Sequence, residues 1–437
     1  MKNTFTSLLC AVLTFAAYSL NAQSYTSFLT GSPDDLEVQA QFGICLMGGG
    51  GESDEAMTWF LERANGGDVV VIRTSGSDGY NNYMFSELGV TLNSVETILF
   101  HGAEAATDPY VVERLNNAEA IWMAGGNQAT YVNMWKDTPV QEAINNLLNV
   151  KGGVVGGISA GMAVMGQAYF PALAGSITSE SALNNPLAPS FILGYDDFVE
   201  APFLENVITE THLNDPARLR YGRVTAFMAR VWHDFGVRPL GIAANEYCAV
   251  AIDENGLARV FGEFPAFDDD YVYFLQDNCI SSIGPEIIES GQPITWLRDE
   301  QAVKVYKVPA TTAGENTFDL NDWNTGSGGV WEDWYVLEGE LSRVEDAEAS
   351  ECNLTLRSSQ HFDFSLFPNP AREQMVLRTD WEQYEYHVFD LTGRLVVQGS
   401  SRSQEARIDI GHLARGLYKI AVIGPDGNFS ASFVKQE

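Results

Sequence analysis

The sequence predicts an α/β fold, a parallel sheet flanked by helices, followed by a small all-β sandwich at the C-terminal end. In the first part of the chain, short apolar runs alternate with helical stretches, which is typical of parallel strands joined by crossover helices. Beyond residue 364, short evenly spaced strands are separated by Gly, Asn and Asp, as in an immunoglobulin-like sandwich. The strand-like runs of the first part are residues 43–47, 68–73, 95–100, 120–123 and 153–155.

Length and charge limit the class of protein. A chain of 437 residues exceeds what one hydrophobic core usually organises, so two or three folding units are expected. The formal net charge of −33 argues against nucleic-acid binding, because phosphate contacts need basic patches. After the N-terminal segment, no stretch is long and apolar enough for a transmembrane helix. These features predict a soluble, exported protein.

The first 22 residues have the layout of a secretory signal peptide. Lys2 precedes an apolar stretch at residues 8–17, and Ala22 supplies the small residue before the expected cleavage point. The segment is too short and wrongly flanked to serve as a membrane span.

The cysteines fall into two environments. Cys45 and Cys248 lie in apolar strand-like runs, where a buried thiol is expected. Cys279 and Cys352 lie in polar, loop-like sequence, and we predict that they pair as a disulfide after export. Because the sequence has no Cys-x-x-Cys pair, we expect no structural zinc site.

The stretch Gly-Gly-Ile-Ser-Ala-Gly at residues 156–161 carries the clearest chemical signal. It follows a strand-like run and precedes residues 162–165, which indicate the first turns of a helix. A serine on such a turn has its hydroxyl pushed out of the sheet, and small residues are required two positions to either side, as Gly157 and Gly161 provide. Ser159 is therefore the predicted nucleophile; a glycine-rich turn with an incidental serine is the alternative.

A run of four glycines at residues 48–51 also follows a strand directly. Ligands of α/β folds bind at the carboxyl ends of the strands, so this loop should lie near Ser159. A phosphate cradle is disfavoured, because Glu52, Asp54 and Glu55 crowd the start of the next helix. We interpret the loop as a tight turn near an active site.

A third loop, Gly-Gly-Asn-Gln at residues 125–128, lies at the same predicted edge. The N–H groups of Gly126 and of Ala160, the residue after the serine, are candidate oxyanion donors. Asn127 or Gln128 would then hydrogen-bond the substrate. A plain turn before a helix is the alternative interpretation.

A serine nucleophile needs a base, and the sequence contains six histidines. His212 ends the strand-like run at residues 207–211, so it could meet the serine at the same edge, and it is the favoured candidate. His101 follows another strand and is the weaker candidate. His233 lies late in a predicted helix, where an imidazole complements the helix dipole.

The carboxylate of a triad is harder to choose. Glu180 lies downstream of the nucleophile turn, and Glu210 lies two residues before His212, on the same face of the predicted strand. Any carboxylate able to orient the imidazole would serve, so spacing in the sequence leaves both open.

Three arginines begin a helix predicted over residues 216–235. Cations at a helix start oppose its dipole, so Arg218, Arg220 and Arg223 are expected to have carboxylate partners. Arg220 and Arg223 share a face, and we predict that they bind an acidic substrate or orient Glu210. The alternative is that they pair with the protein's own acids.

The order of these motifs resembles the cyanophycinase and dipeptidase E family of serine peptidases, over about residues 40–260. The resemblance implies a class I glutamine amidotransferase-like, flavodoxin-like fold with serine at the elbow, and cleavage of peptide or isopeptide bonds next to aspartate. It also implies that Ser159 is the nucleophile, His212 the base and Glu180 the triad carboxylate. The substrate-binding residues that it implies are Gln128, Arg220 and Arg223. The motifs are Gly-Gly-Asn-Gln at 125–128, Gly-Ile-Ser-Ala-Gly at 157–161, Thr-Glu-Thr-His at 209–212 and Arg-Leu-Arg-Tyr-Gly-Arg at 218–223.

The C-terminal part resembles the sorting domain of the type IX secretion system. The motifs are Phe-Pro-Asn-Pro at 367–370, Asp-Leu-Thr-Gly-Arg at 390–394 and Ala-Arg-Gly-Leu-Tyr at 414–418. The resemblance implies export through the periplasm and outer membrane, to the cell surface or the medium, by the type IX machinery.

Four segments are therefore predicted. The signal peptide is followed by a catalytic domain, a linker and the sorting domain. The catalytic domain has its core at about residues 40–262 and ends in an acidic, aromatic-rich extension. The segments are residues 1–22, 23–345 with the extension at 263–345, 346–363, and 364–437.

Two functions from different classes are compatible with this pattern. The favoured one is a secreted serine peptidase that needs no metal or cofactor, because nucleophile, base and arginines all lie at compatible strand ends. The other is an exported binding protein that keeps the peptidase fold without turnover. Amidotransfer is disfavoured, since no cysteine occupies the elbow.

Overall fold

The computed structural model describes residues 23–279, 284–350, 365–367, 371–379, 381–390, 394–424 and 427–435. The chain forms two compact units, Met1–Leu354 and Thr355–Glu437. The first unit combines helices with two sheets, and the second is built from strands.

The described strands of the first unit are β1 (Tyr25–Gly31), β2 (Gly43–Met47), β3 (Asp68–Arg73), β4 (Ser94–Phe100), β5 (Ala120–Met123), β6 (Val154–Ile158), β7 (Ala168–Tyr169), β8 (Gly194–Tyr195), β9 (Val207–Glu210), β10 (Leu240–Ala244), β11 (Ala249–Ile252), β12 (Leu257–Phe264), β13 (Tyr271–Asp277), β14 (Val303–Pro309), β15 (Thr317–Asp319), β16 (Gly326–Ser327), β17 (Val330–Leu337) and β18 (Glu340–Val344). Its described α-helices are α1 (Asp54–Arg63), α2 (Gly79–Asn82), α3 (Pro109–Asn117), α4 (Gln128–Trp135), α5 (Pro139–Asn146), α6 (Ser179–Asn184) and α7 (Tyr221–Phe235). Short 3₁₀ turns lie at Ala103–Thr107 and Met162–Val164, and π turns at Tyr83–Glu87 and Leu147–Lys151.

The first sheet has the order β1-β4-β3-β5-β6-β2-β11-β12-β15-β16. Its five central strands, β4, β3, β5, β6 and β2, pair in parallel. Antiparallel strands extend it on both sides, β1 on β4 and β11 on β2. The predicted α/β class is confirmed, and the predicted strand-like runs fall on β2 to β6.

Both faces of the parallel strands are covered, as the sequence predicts. Side chains of a strand point alternately to its two faces. In β2, Ile44 and Leu46 join the core formed with α3, α4 and α5, while Cys45 and Met47 pack on the opposite face with Phe60 of α1. This alternation explains why every residue of β2 is buried.

The second sheet has the order β18-β17-β14-β13-β10-β9-β7-β8. Strands β9 and β10 pair in parallel, and β13 pairs with β10 in antiparallel orientation. The strand that precedes His212 is β9, so it lies in a different sheet from β6, which precedes Ser159. The expectation of one sheet was wrong, because alternation along a sequence does not reveal with which strand each run pairs.

The acidic, aromatic-rich extension at residues 263–345 contributes to both sheets. It supplies β13, β14, β17 and β18 to the second sheet and β15 and β16 to the first. The side chains of Leu275 and Val303 pack in the same core as Val224 and Phe227 of α7.

Two predicted helices differ in the structure. The segment after Ser159 forms only the 3₁₀ turn Met162–Val164, so no long helix dipole points at the serine. The helix predicted from residue 216 begins at Tyr221, which leaves Arg220 as its N-cap residue. Among the described residues, no helix combines the length and the apolar character needed to cross a bilayer.

The second unit forms two antiparallel sheets. One has the order β19-β20-β23 and the other β22-β21-β24-β25. Alternate side chains such as Met375, Leu377, Ile420 and Val422 fill the core. The strands are β19 (Ser365–Phe367), β20 (Gln374–Arg378), β21 (Tyr384–Asp390), β22 (Leu395–Ser401), β23 (Glu405–Asp409), β24 (Gly416–Gly424) and β25 (Gly427–Lys435).

The cysteines of the first unit agree with their sequence environments. Cys45 and Cys248 are buried free thiols, and burial raises the pKa of both. Cys279 is disulfide-bonded. Its predicted partner, Cys352, lies outside the described residues.

Glu119, next to β5, is a buried carboxyl whose charge opposes folding. It is 4% exposed, and its Oε2 accepts a hydrogen bond of 2.8 Å from the N–H of Asp68. Burial raises its pKa to about 7. Because the folded pKa exceeds the unfolded one, the protonated carboxyl contributes stability below about pH 4.5 that is lost as the pH rises through 7. A shift of this size corresponds to about 3 kcal/mol.

Replacement of Glu119 by glutamine is therefore expected to stabilise the protein at pH 8 more than at pH 5. The glutamine carbonyl retains the acceptor for the Asp68 N–H, and no charge has to be buried. Urea unfolding followed by tryptophan fluorescence at the two pH values measures the difference. Glu62→Gln, at an exposed position of α1, is the control. Equal effects of Glu119→Gln at both pH values would contradict the assignment.

Candidate active site

Ser159 lies on a strained turn at the carboxyl end of β6. Its φ of +53° falls in the left-handed region that a residue with a side chain rarely adopts. A Cβ on Gly157 would lie 2.7 Å from the carbonyl carbon of Gly161, and a Cβ on Gly161 would lie 2.1 Å from the carbonyl oxygen of Met123. Neither glycine can be replaced without moving backbone, which accounts for the glycine spacing around the serine.

His212 meets Ser159 from the second sheet. It follows β9 in a turn with φ of +49°, and its Nε2 lies 2.7 Å from Ser159 Oγ. The other candidate base, His101, is hydrogen-bonded through its Nε2 to Thr26 Oγ1 at 2.8 Å. The structure thus brings Ser159 and His212 together, and it leaves His101 with another partner.

Glu246 completes a chain of hydrogen bonds. It lies in the loop between β10 and β11, and its Oε1 is 2.6 Å from His212 Nδ1. An ionised carboxylate can only accept, so the Nδ1 of a neutral imidazole carries the proton and Nε2 is free to accept from the serine hydroxyl. The imidazole is therefore held in the tautomer that a general base requires.

Neither carboxylate chosen from the sequence occupies that position. Glu180 lies exposed at the start of α6 and lines a cavity with Arg343 and Leu341, away from the imidazole. Glu210 is buried and paired with Arg223, whose Nε donates to its Oε2 at 2.7 Å while Nη2 contacts Oε1. Glu210 shares a strand with the histidine, but the arginine occupies both of its oxygens.

Glu246 could have been found from the sequence. It follows the apolar residues of β10 by two positions, so it obeys the same rule that selected Ser159 and His212, namely a reactive side chain just after a strand. The missing information was which of several such carboxylates faces the imidazole.

The two predicted substrate arginines differ in availability. Arg223 is buried, pairs with Glu210 and also donates to Ser176 Oγ at 3.3 Å, so it serves the protein's own packing. Arg220 donates from Nη1 to the carbonyl of Thr211 at 2.9 Å, lies 3.8 Å from Glu210 Oε1 and retains 16% side-chain exposure. Burial, followed by the charge of Arg223, lowers the pKa of Arg220.

The turn at residues 125–128 faces the serine. A Cβ on Gly125 would lie 3.7 Å from Ser159 Cβ. Within the described residues, the N–H groups of Gly126 and Ala160 donate to no backbone carbonyl. Both predicted oxyanion donors are therefore uncommitted, as an oxyanion hole requires.

The two polar residues of this turn have different surroundings. Asn127 caps α4, since its Oδ1 accepts from Ala129 N at 2.9 Å. Its side chain is thus used within the protein rather than held free for substrate. Gln128 is the first residue of α4 and is partly exposed.

A strongly acidic cleft of about 640 Å³ adjoins the triad. Glu246 and its neighbour Tyr247 form part of its wall, and Tyr247 and Phe267 are exposed aromatic side chains at 55% and 56%. None of the described residues that line it is Lys or Arg, so an anionic group would be repelled there. Its carboxylates are those of Glu52, Asp54, Glu55, Glu246, Glu263, Asp269 and Asp270.

The hydrogen-bonded serine, histidine and glutamate are the arrangement found in serine hydrolases. Comparison with known proteins agrees with this class. Residues 74–184, which include Ser159, match Peptidase family S51. Residues 365–436 match the secretion system C-terminal sorting domain. The predicted resemblance to cyanophycinase and dipeptidase E-like serine peptidases, with a sorting domain at the C-terminal end, is confirmed.

Individual relatives are distant. The chain is 24% identical over 233 residues to cyanophycinases from Synechococcus elongatus and Thermosynechococcus vestitus, over 50% of this chain and 66% of theirs. It therefore spans slightly less than two-thirds of the length of these curated relatives. A peptidase from an acI-B1 actinobacterium has 16% sequence identity and a TM-score of 0.41, covering 64% of this chain and 98% of that one.

These findings show similarity to peptidases over part of the chain. The sorting domain indicates export to the cell surface or secretion.

Proposed function

We propose that this protein is a secreted serine peptidase that hydrolyses amide bonds next to aspartate, with Ser159 as nucleophile, His212 as base and Glu246 as the orienting carboxylate. The hydrogen-bonded line from Ser159 Oγ through His212 to Glu246, with contacts of 2.7 and 2.6 Å, is the observation that carries the proposal. Glu246 takes the role that resemblance alone gave to Glu180.

The reaction follows from the positions of these groups. His212 Nε2 accepts the hydroxyl proton as Ser159 Oγ attacks the amide carbonyl, and the negative charge that develops on its oxygen is stabilised by the N–H groups of Gly126 and Ala160. Glu246 stabilises the imidazolium, which then protonates the leaving amine. Water, activated by the same imidazole, hydrolyses the ester on Ser159 and restores the enzyme.

The charges around the site support a substrate that carries both a carboxylate and a cationic side chain. Arg220 and Gln128 are the remaining candidates for binding a substrate carboxylate. Arg223 is hydrogen-bonded to both oxygens of Glu210, whereas Arg220 lies 3.8 Å from Glu210 Oε1 and is partly exposed. The acidic cleft beside Glu246 favours a cationic side chain on the other side of the scissile bond, and Tyr247 and Phe267 add aromatic surface for it.

Export through the signal peptide at residues 1–22 and the sorting domain at 364–437 is part of the same proposal. The substrate is then a peptide or isopeptide met outside the cytoplasm.

A panel of short α- and β-linked aspartyl peptides tests the function. We expect cleavage next to aspartate, faster when the adjoining residue is Lys or Arg than when it is Glu, as measured by product analysis. A fluorophosphonate probe should label Ser159, because a hydrogen-bonded base activates the hydroxyl. No labelling and no cleavage would favour the alternative, an exported binding protein that keeps the peptidase fold.

A further inference from the structure

The glycine loop after β2 holds the backbone of all three reactive loops. Three consecutive carbonyls, from Met47 at the end of β2 to Gly49 in the loop, accept one N–H from each. Met47 O accepts from Ser159 N at 3.0 Å, Gly48 O from His212 N at 2.9 Å, and Gly49 O from Tyr247 N, next to Glu246, at 2.7 Å. One short segment therefore fixes the relative positions of the nucleophile, base and carboxylate loops.

We propose that this loop, residues 48–51, is a template for the triad, and that Gly49 is a positioning residue for the His212 imidazole. The proposal rests on the function proposed above. It assigns a role to the glycine run that neither a phosphate cradle nor an ordinary tight turn explains.

The His212 ring lies directly against Gly49. A Cβ on Gly49 would lie 2.3 Å from Cε1 and 2.5 Å from Nε2 of the imidazole, far inside van der Waals contact. The φ of Gly49 is +120°, which is also unfavourable for any residue with a side chain. Glycine thus provides a flat backbone surface that positions the ring with Nε2 towards Ser159.

The adjoining glycine is required for a different contact. A Cβ on Gly48 would lie 2.1 Å from the carbonyl oxygen of Asn245, in the loop that carries Glu246. Gly48 N also donates to Cys248 O at 2.9 Å. The template is therefore packed against the carboxylate loop as closely as against the imidazole.

The template connects reactive loops that come from two different sheets. The strand before His212 lies in the second sheet, whereas β6 and β11 lie in the first. The Gly48 O to His212 N bond joins the histidine turn to the first sheet. Ser159, His212 and Tyr247 all have positive φ, and such conformations persist only where the surroundings determine them.

The test is Gly49→Ala compared with Gly89→Ala. Gly89 also has a positive φ, +75°, but nothing lies within 4 Å of a Cβ built there. We expect Gly49→Ala to lower the rate of fluorophosphonate labelling at Ser159 at least about 100-fold, the size of effect expected for a displacement of about 1 Å. Gly89→Ala should label at the wild-type rate. If the wild type labels and Gly49→Ala labels at the same rate, the proposal is overturned.

An NMR measurement distinguishes a displaced imidazole from a failure of the proposed function. The proton of the His212 Nδ1 to Glu246 hydrogen bond can be followed by NMR, and it should shift or vanish in Gly49→Ala but not in Gly89→Ala. An unchanged resonance would overturn the proposal, whether or not the wild type labels. An unlabelled wild type would contradict the proposed function alone.

A double-mutant cycle covers the case in which Gly49→Ala does not fold. The methyl group collides with the imidazole, so its destabilising effect should shrink in a His212→Ala background. The pair of substitutions should then fold where Gly49→Ala does not. An effect of Gly49→Ala that is equally severe in both backgrounds would overturn the role of Gly49 in positioning the ring.

Discussion

Replacement of Ser159 by alanine is expected to abolish amide hydrolysis while leaving the fold intact. The substitution removes the oxygen that accepts the acyl group, and the turn itself depends on Gly157 and Gly161 rather than on the hydroxyl. Loss of a triad nucleophile lowers kcat by roughly 10⁴- to 10⁶-fold in serine hydrolases. The measurement is turnover of the best aspartyl peptide, together with the melting temperature.

Ser77→Ala is the matched control, because Ser77 is exposed in the loop after β3. It should retain wild-type turnover. Turnover by Ser159→Ala within tenfold of the wild type would eliminate the serine mechanism, whatever the behaviour of the control.

Replacement of Glu246 by glutamine is expected to lower kcat by about 10⁴-fold. Glutamine has nearly the same shape, but it carries no charge to stabilise the imidazolium and can present an amide N–H to His212 Nδ1. That contact would favour the wrong tautomer, in which Nε2 carries the proton and cannot accept one from Ser159. Parallel assays of kcat and KM should show the loss mainly in kcat.

Glu180→Gln provides the sharpest comparison, because the family resemblance assigns the triad carboxylate to Glu180. In the structure it is exposed and has no contact with the imidazole, so turnover should be unchanged. A large loss in Glu180→Gln with none in Glu246→Gln would restore the assignment made from resemblance.

The proposed nucleophile and base, which the structure brings within 2.7 Å of each other, could be chosen from the sequence because each carries a local signal. Gly157 and Gly161 identify the turn at Ser159, and His212 follows the strand-like run at residues 207–211. The central strands β2 to β6 were predictable for a similar reason, since their apolar runs are flanked by turn residues and helices.

The other site residues depend on contacts between distant segments. The sequence shows that Glu210 and Arg223 carry opposite charges, but it does not show that they bind each other and leave the imidazole to Glu246. Asn127 caps a helix through a local contact. The sequence alone does not show whether its side chain caps the helix or binds the substrate.

The pairing of β10 with β13 has a consequence for where the first unit can be shortened. A chain that stopped at residue 262 would contain Ser159, His212 and Glu246, yet one side of β10 would present bare N–H and C=O groups to solvent. A fragment that keeps β10 paired on both sides therefore has to extend through β13, which ends at Asp277 and contributes no reacting group. Truncation at residue 262 would leave the three site residues in place but remove the strand that pairs with β10.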